Sequence, residues 1–239
     1  MATPRYDTSM GGADRRFPAT DWTQLLDPSQ KEAILAELCT KYWKPLYCYL
    51  RTSGFDNDKA KDLVQGFLTE KVIDREIIRQ ADKTKGKLRT FLLTAIRNYA
   101  INIERSGKRH VDIDKVAEVS DESKDPEDAY DRAWADQLLQ DVLDQLRLEC
   151  CGRGKTAHWR LFNEWLLELR ADRQRPQMKD LCEKCGIENT AQAYHMIENV
   201  KRRFRSILRQ HLRVLVNFDE EVDDEIHNFI NIFQKGVAR

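Results

Sequence analysis

The side chains in this chain that could bind metal or act as nucleophiles are mainly its six cysteines and five histidines. Cys182 and Cys185 have the spacing of half a zinc site, and Cys150, Cys151 or His195 could supply the remaining ligands. A structural zinc site normally shows two such pairs, and adjacent cysteines chelate poorly. The histidines are scattered and accompany no nucleophile. We therefore predict no metal, no cofactor and no enzymatic activity.

A glycine-containing segment, Gly152 to Thr156, resembles the end of a phosphate-binding P-loop. That motif requires a glycine where Glu149 stands and a strand before it, whereas the preceding pattern is helical. We interpret the segment as a break between two helices.

Basic side chains are more informative, because the formal net charge is zero but the charges are segregated. Between Lys83 and His110 there are eight basic residues and one acid, and between Asn199 and Arg213 there are six basic residues and no acid. The intervening stretch from Val111 to Glu149 holds thirteen acids and four bases. Two basic segments separated by an acidic one are typical of a protein that contacts a polyanion at two places. Solvated helix faces are the simpler alternative.

The second basic segment belongs to a predicted helix–turn–helix at residues 176–213. Gly186 supplies the turn, and apolar residues at three- and four-residue spacing form the packing stripe of the second helix. Its opposite face could read base edges in the major groove and hold phosphates. The candidate DNA contacts are Gln192, Tyr194, His195, Asn199, Lys201, Arg202, Arg203 and Arg205. An ordinary helical hairpin with a basic face is the alternative.

The first basic segment combines a loop with a predicted helix from Leu88 to about Arg105. Cations and flat side chains that alternate along a surface suit a DNA strand whose bases are unstacked, because cations follow the backbone and planar groups meet the bases. The candidates are Lys83, Lys85, Lys87, Arg89, Arg97, Asn98, Asn102 and Arg105.

Helical periodicity dominates the chain, and no strand-like alternation of useful length occurs. We predict an all-α fold of two helical domains, 20–108 and 130–216, joined by an acidic linker at 109–129. Residues 1–19 are predicted to be flexible, and 217–239 to form an acidic helical tail. No apolar run suits a membrane span or a signal peptide, and the cysteines suggest reduced thiols, so we predict a cytoplasmic protein without a membrane partner.

The order of these segments resembles the extracytoplasmic-function sigma factors of bacteria, in particular a subgroup with a Phe-Pro-x-Thr-x-Trp motif, which here is Phe17 to Trp22. Further matching stretches are Lys41–Tyr47, Lys61–Phe67 and Lys85–Ala95 with Arg97-Asn98, and the basic run Lys201–Arg205 matches more weakly. The turn from Gly186 to Thr190 is about one residue longer than the usual form of the family, which affects the register of base reading.

The resemblance implies roles that composition does not show. Residues 20–108 correspond to sigma region 2, whose helix with Asp62, Gln65, Phe67 and Leu68 would bind core RNA polymerase. The segment Lys83–Arg105 would open and read the minus-ten element of the promoter. Residues 130–216 correspond to region 4, which would bind the minus-thirty-five element. An anti-sigma factor is a further candidate partner for a protein of this kind.

Two other functional classes stay open. A helix–turn–helix repressor or activator would bind duplex DNA without polymerase, and a helical interaction protein would lack salt-dependent affinity for DNA. The acidic tail after Asn217 is a candidate lid over the basic helix, on grounds of charge complementarity.

Overall fold

A computed structural model describes residues 31–73, 88–106, 125–172, 177–213, 216 and 221–235. The predicted all-α fold is confirmed for these residues, which form eight α-helices and contain no strand. In chain order the helices are α1 (Lys31–Thr52), α2 (Asn57–Phe67), α3 (Leu88–Ser106), α4 (Pro126–Gly152), α5 (Thr156–Asp172), α6 (Met178–Cys185), α7 (Thr190–Arg213) and α8 (Glu221–Lys235). A π-helical segment, Leu68–Ile73, continues α2 directly.

The described residues fall into two compact units. Unit 1 takes its residues from Met1–Leu138 and Leu212–Arg239, and unit 2 takes its residues from Leu139–His211. The start of α4 and the whole of α8 therefore belong to unit 1. The expected division differs, since it puts residues 130–216 in the second domain and residues 217–239 in a separate tail. The reason is apolar packing: the Phe229 ring of α8 lies 6.5 Å from the Trp134 ring of α4, edge to face.

The core of unit 1 follows from helical periodicity. In α1 the buried residues Leu38, Tyr42, Leu46 and Leu50 recur every fourth position and so share one face. α2 packs against both α1 and α3. Each fully buried side chain of this size contributes about 1.5–3 kcal/mol relative to exposure. Other core members are Leu63, Val64, Phe67, Leu88, Leu92, Ile96, Tyr130, Trp134, Val222 and Phe229.

Aspartate caps set the starts of α2 and α4. The Asp56 carboxylate accepts a hydrogen bond of 2.8 Å from the backbone N–H of Lys59, which satisfies one of the unpaired amides of the first turn. The Asp125 carboxylate accepts in the same way from Glu127, at 2.9 Å. Pro126 follows as the first residue of α4, where its missing N–H costs no hydrogen bond. α4 consequently begins at Pro126 rather than near Tyr130, where the apolar periodicity resumes.

Unit 2 contains the rest of α4 together with α5 and α6 and most of α7. The break after α4 is the predicted glycine turn: Gly154 has φ of +70°, and the backbone N–H of Lys155 donates to the Cys150 carbonyl at 2.8 Å. Phe162 anchors an aromatic cluster, with ring centroids 5.8 Å from Trp165 and 6.2 Å from Phe204.

Candidate nucleic-acid interface

The helix–turn–helix is formed by α6, a short turn and α7. α6 ends at Cys185 and is followed by Gly186, whose left-handed backbone (φ of +69°) is readily adopted by glycine. The backbone N–H of Ile187 donates to the Cys182 carbonyl at 2.9 Å, which closes the end of the helix. Asn189 then caps α7, because its side-chain oxygen accepts from the N–H groups of Ala191 (2.9 Å) and Gln192 (3.2 Å). The turn therefore fixes the starting residue of α7.

A shared apolar cluster holds the two helices together. The inner face of α6 buries Leu181, Cys182 and Cys185 against Ala193 and Ile197 of α7. Arg160 of α5 additionally donates to the Cys185 carbonyl, and Lys184 pairs with Glu164 of α5 at 2.6 Å. These contacts leave the opposite face of α7 to solvent.

That solvent-exposed face carries most of the predicted DNA contacts. Tyr194 has 57% of its surface exposed, which is unusual for a large aromatic side chain. Arg202 donates a hydrogen bond to the Asn199 side chain, which links two candidate residues on the surface. The exposed members of the predicted set are Gln192, Tyr194, His195, Asn199, Arg202 and Arg205.

Lys201 and Arg203 differ from the exposed members, because both are half-buried against side chains of other helices. The Lys201 ammonium lies 4.3 Å from the centroid of the Trp165 ring and 2.9 Å from the Glu198 carboxylate. Arg203 forms a bidentate pair with Glu149, at 2.5 Å from Nε and 2.7 Å from Nη2. The hydrogen bonds from Arg203 hold the pKa of Glu149 below its ordinary value. In this arrangement the two cations fasten α7 to α4 and α5.

The second predicted DNA surface lies on α3. Arg97, Asn98, Asn102 and Arg105 are all exposed. Asn98, Asn102 and Arg105 are spaced four and three residues apart, so they form one stripe along the helix. Lys83, Lys85 and Lys87 lie outside the described residues.

Arg89, in the first turn of α3, is placed differently from the rest of this set. Only 13% of its side chain is exposed. Its guanidinium lies 4.5 Å from the centroid of the Trp134 ring, with Nη1 3.5 Å from Asp131 and Nη2 3.5 Å from Glu225 of α8. Arg89 is thus enclosed by α4 and α8.

The predicted polymerase-binding residues lie on α2 and the start of the π-helical segment. Asp62 and Gln65 are exposed, whereas Phe67 and Leu68 are buried in unit 1. The Phe67 ring lies 5.8 Å from that of Tyr99. Gly66 lies so close to Tyr99 that an added Cβ would come within 2.6 Å of the phenol oxygen. Phe67 and Gly66 therefore set the position of the helix that presents Asp62 and Gln65.

Metal ligands are not gathered in the part of the chain that the structure describes, since no group of three or more His, Cys, Asp and Glu side chains is suitably placed there. Burial raises the pKa of the Cys182 thiol, which keeps it protonated at neutral pH. No described helix combines the length and apolarity needed to cross a bilayer.

Comparison of the chain with protein-family models, curated proteins and solved structures gave no match.

Five residues that contact the predicted DNA-binding side chains could not be identified from the sequence. They are Glu149, Trp165, Asp131, Trp134 and Glu225. Each contacts a predicted DNA residue from a distant part of the chain; Glu149 and Arg203, for example, are 54 residues apart. Local spacing carries no signal for such pairs. The only available hint was the acidic charge of the linker and tail beside two basic segments.

Proposed function

We propose that this chain is a sigma factor that binds core RNA polymerase and directs promoter recognition and opening. The observation that carries the proposal is the exposed face of α7, which presents amide, aromatic and guanidinium groups directly after a capped turn. A helix of this kind fits the major groove, with its first residues at base edges and its later arginines at phosphates.

The exposed stripe of α3 supports the second half of the proposal. Asn98, Asn102 and Arg105 offer hydrogen-bond donors to unpaired bases and to phosphates, as single-strand binding requires. Separating bases costs a few kcal/mol per step, which such contacts would offset. Asp62 and Gln65 on α2 are the side chains proposed to meet the polymerase.

Run-off transcription with purified core polymerase and genomic DNA fragments tests the proposal. We expect discrete new start sites that depend on the full-length chain. The double substitution Arg202→Ala with Arg205→Ala should remove them, since it deletes two exposed cations of α7. The control is Arg147→Ala with Arg153→Ala, which removes the same charge from exposed positions on α4 and the turn after it.

An absence of new start sites would overturn the sigma proposal. If the same protein still shifted duplex DNA in a gel, a helix–turn–helix regulator that acts without polymerase would replace it. Loss of both activities would instead favour a helical interaction protein.

A further inference from the structure

One acidic side chain lies within the exposed face of α7 that is proposed to read DNA. Glu198 follows His195 by three residues and precedes Arg202 by four, so the three side chains form one row along the helix. All three are exposed, and the row lies opposite the buried Ala193 and Val200. Glu198 is not among the predicted DNA contacts, although it lies in the middle of their surface.

The cations next to Glu198 lie toward one edge of this face. The Lys201 ammonium lies 4.3 Å from the centroid of the Trp165 ring and donates to Oε1 of Glu198 at 2.9 Å. Arg205 lies on the same side of the row, four residues after Lys201. A helix in the major groove directs the middle of its exposed face at the base edges and its flanks at the phosphates. Glu198 is therefore in a position to meet a base, with phosphate-binding groups beside it.

A carboxylate in this position discriminates between base pairs. The Glu198 side chain is 55% exposed, and the hydrogen bond from Lys201 lowers its pKa, so it is ionised at neutral pH. Besides the bond from Lys201, an ionised carboxylate can accept further hydrogen bonds but can donate none. In the major groove the amino group of cytosine is a donor, whereas guanine presents two acceptors and thymine presents an acceptor and a methyl group. Cytosine is accordingly the usual partner of a glutamate.

We propose that Glu198 selects a cytosine in the duplex that α7 binds, by accepting a hydrogen bond from the N4 amino group of that base. The proposal depends on the DNA-binding part of the proposed function. The same carboxylate repels phosphates, so it weakens binding to duplexes that do not offer the cytosine. Specificity is thereby gained by rejection of other sequences as well as by attraction to the matching one.

Binding-site selection from a library of randomised duplexes, with the full-length chain, tests the proposal. The wild type should enrich a motif that contains a strongly preferred C·G pair. Glu198→Gln should enrich the same motif without that preference, because an amide can accept from cytosine or donate to thymine. In anisotropy titrations, replacement of this pair by T·A should weaken binding of the wild type roughly tenfold and of Glu198→Gln less than about threefold.

Two control variants separate base selection from the loss of a charge or of an ion pair. Glu183→Gln removes the same charge from an exposed position on α6 and should leave the motif unchanged. Lys201→Gln breaks the pair with Glu198 but leaves the carboxylate, so the preference for cytosine should persist. An unchanged motif for Glu198→Gln would overturn the proposal. The same loss of preference in Lys201→Gln would also overturn it, because the ion pair would then set the preference.

Failure of this inference can be told apart from failure of the sigma proposal. A cytosine preference that depends on Glu198, without new start sites in run-off transcription, would support the inference and reject the sigma role. New start sites together with an unchanged motif for Glu198→Gln would do the reverse. A wild type that enriches no motif would overturn both this inference and base reading by α7.

Discussion

At the scale of single residues, the arginines of α7 have two different roles although they are neighbours in sequence. Arg203 is fixed by two hydrogen bonds to Glu149, whereas Arg205 is exposed. An arginine that contacts phosphate releases counterions on binding, and one that pairs with a carboxylate inside its own unit does not. The sequence alone predicts the same role, contact with DNA, for Arg203 and Arg205.

Substitution of each arginine by glutamine separates these roles. Arg205→Gln should reduce the slope of log affinity against log salt concentration by about one for duplex DNA. Arg203→Gln should leave that slope unchanged and lower the midpoint of thermal unfolding. Salt titration by anisotropy and a thermal melt measure the two effects. A reduced slope for Arg203→Gln would show that Arg203 reaches phosphate after all.

At the scale of helices, much of the fold could be predicted from the sequence. The extent of α3 and the end of α6 agree closely with expectation, because apolar periodicity and the glycine at position 186 are local signals. α4 begins at Pro126, before the predicted domain boundary at residue 130, because Asp125 caps the helix from within the stretch that was interpreted as an acidic linker. The enclosure of Arg89 by α8 could not be predicted, because it depends on residues more than a hundred positions apart.

The attachment of α7 to α4 through Glu149 should depend on pH. Arg203 lowers the pKa of Glu149 in the folded chain. The pair therefore stabilises the fold at pH values above 4.5, the ordinary pKa of the carboxyl group. This contribution is lost as the pH falls through the lower folded pKa. Glu149→Gln should therefore reduce the free energy of unfolding by about 1 kcal/mol at pH 7, a modest value because the pair is partly exposed.

Chemical denaturation at several pH values checks this dependence. The difference between wild type and Glu149→Gln should shrink as the pH falls below 4.5 and then disappear. Glu198→Gln is the control, since Glu198 lies in an exposed pair with Lys201 and should matter less to stability. A difference that stayed constant down to low pH would contradict the assigned role of the carboxylate.

At the scale of the whole molecule, the proposed function requires separate surfaces for polymerase and DNA. Combined Asp62→Ala and Gln65→Ala should weaken binding to core polymerase at least about tenfold, the equivalent of 1.4 kcal/mol. Binding of duplex DNA through α7 should be unchanged, because both side chains are exposed on α2 of unit 1 and α7 belongs mainly to unit 2. Fluorescence titration with polymerase and a gel shift measure the two activities.

The matched control for this prediction is Thr69→Ala with Asp58→Ala, which also alters exposed residues of the same segment. Similar losses from both pairs would indicate a general effect on unit 1 instead of a polymerase contact. An unchanged polymerase affinity in the Asp62 and Gln65 variant would remove that surface from the proposal.

Unit 1 is assembled from both ends of the described chain, and unit 2 lies between them in sequence. During synthesis on the ribosome, Trp134 emerges long before Phe229, its partner on α8. Unit 2 can begin to fold first, while the Trp134 surface of unit 1 stays uncovered until the last helix leaves the exit tunnel. Nascent chains stalled before residue 221 should therefore be recognised by chaperones that bind apolar surface, and full-length chains should escape them.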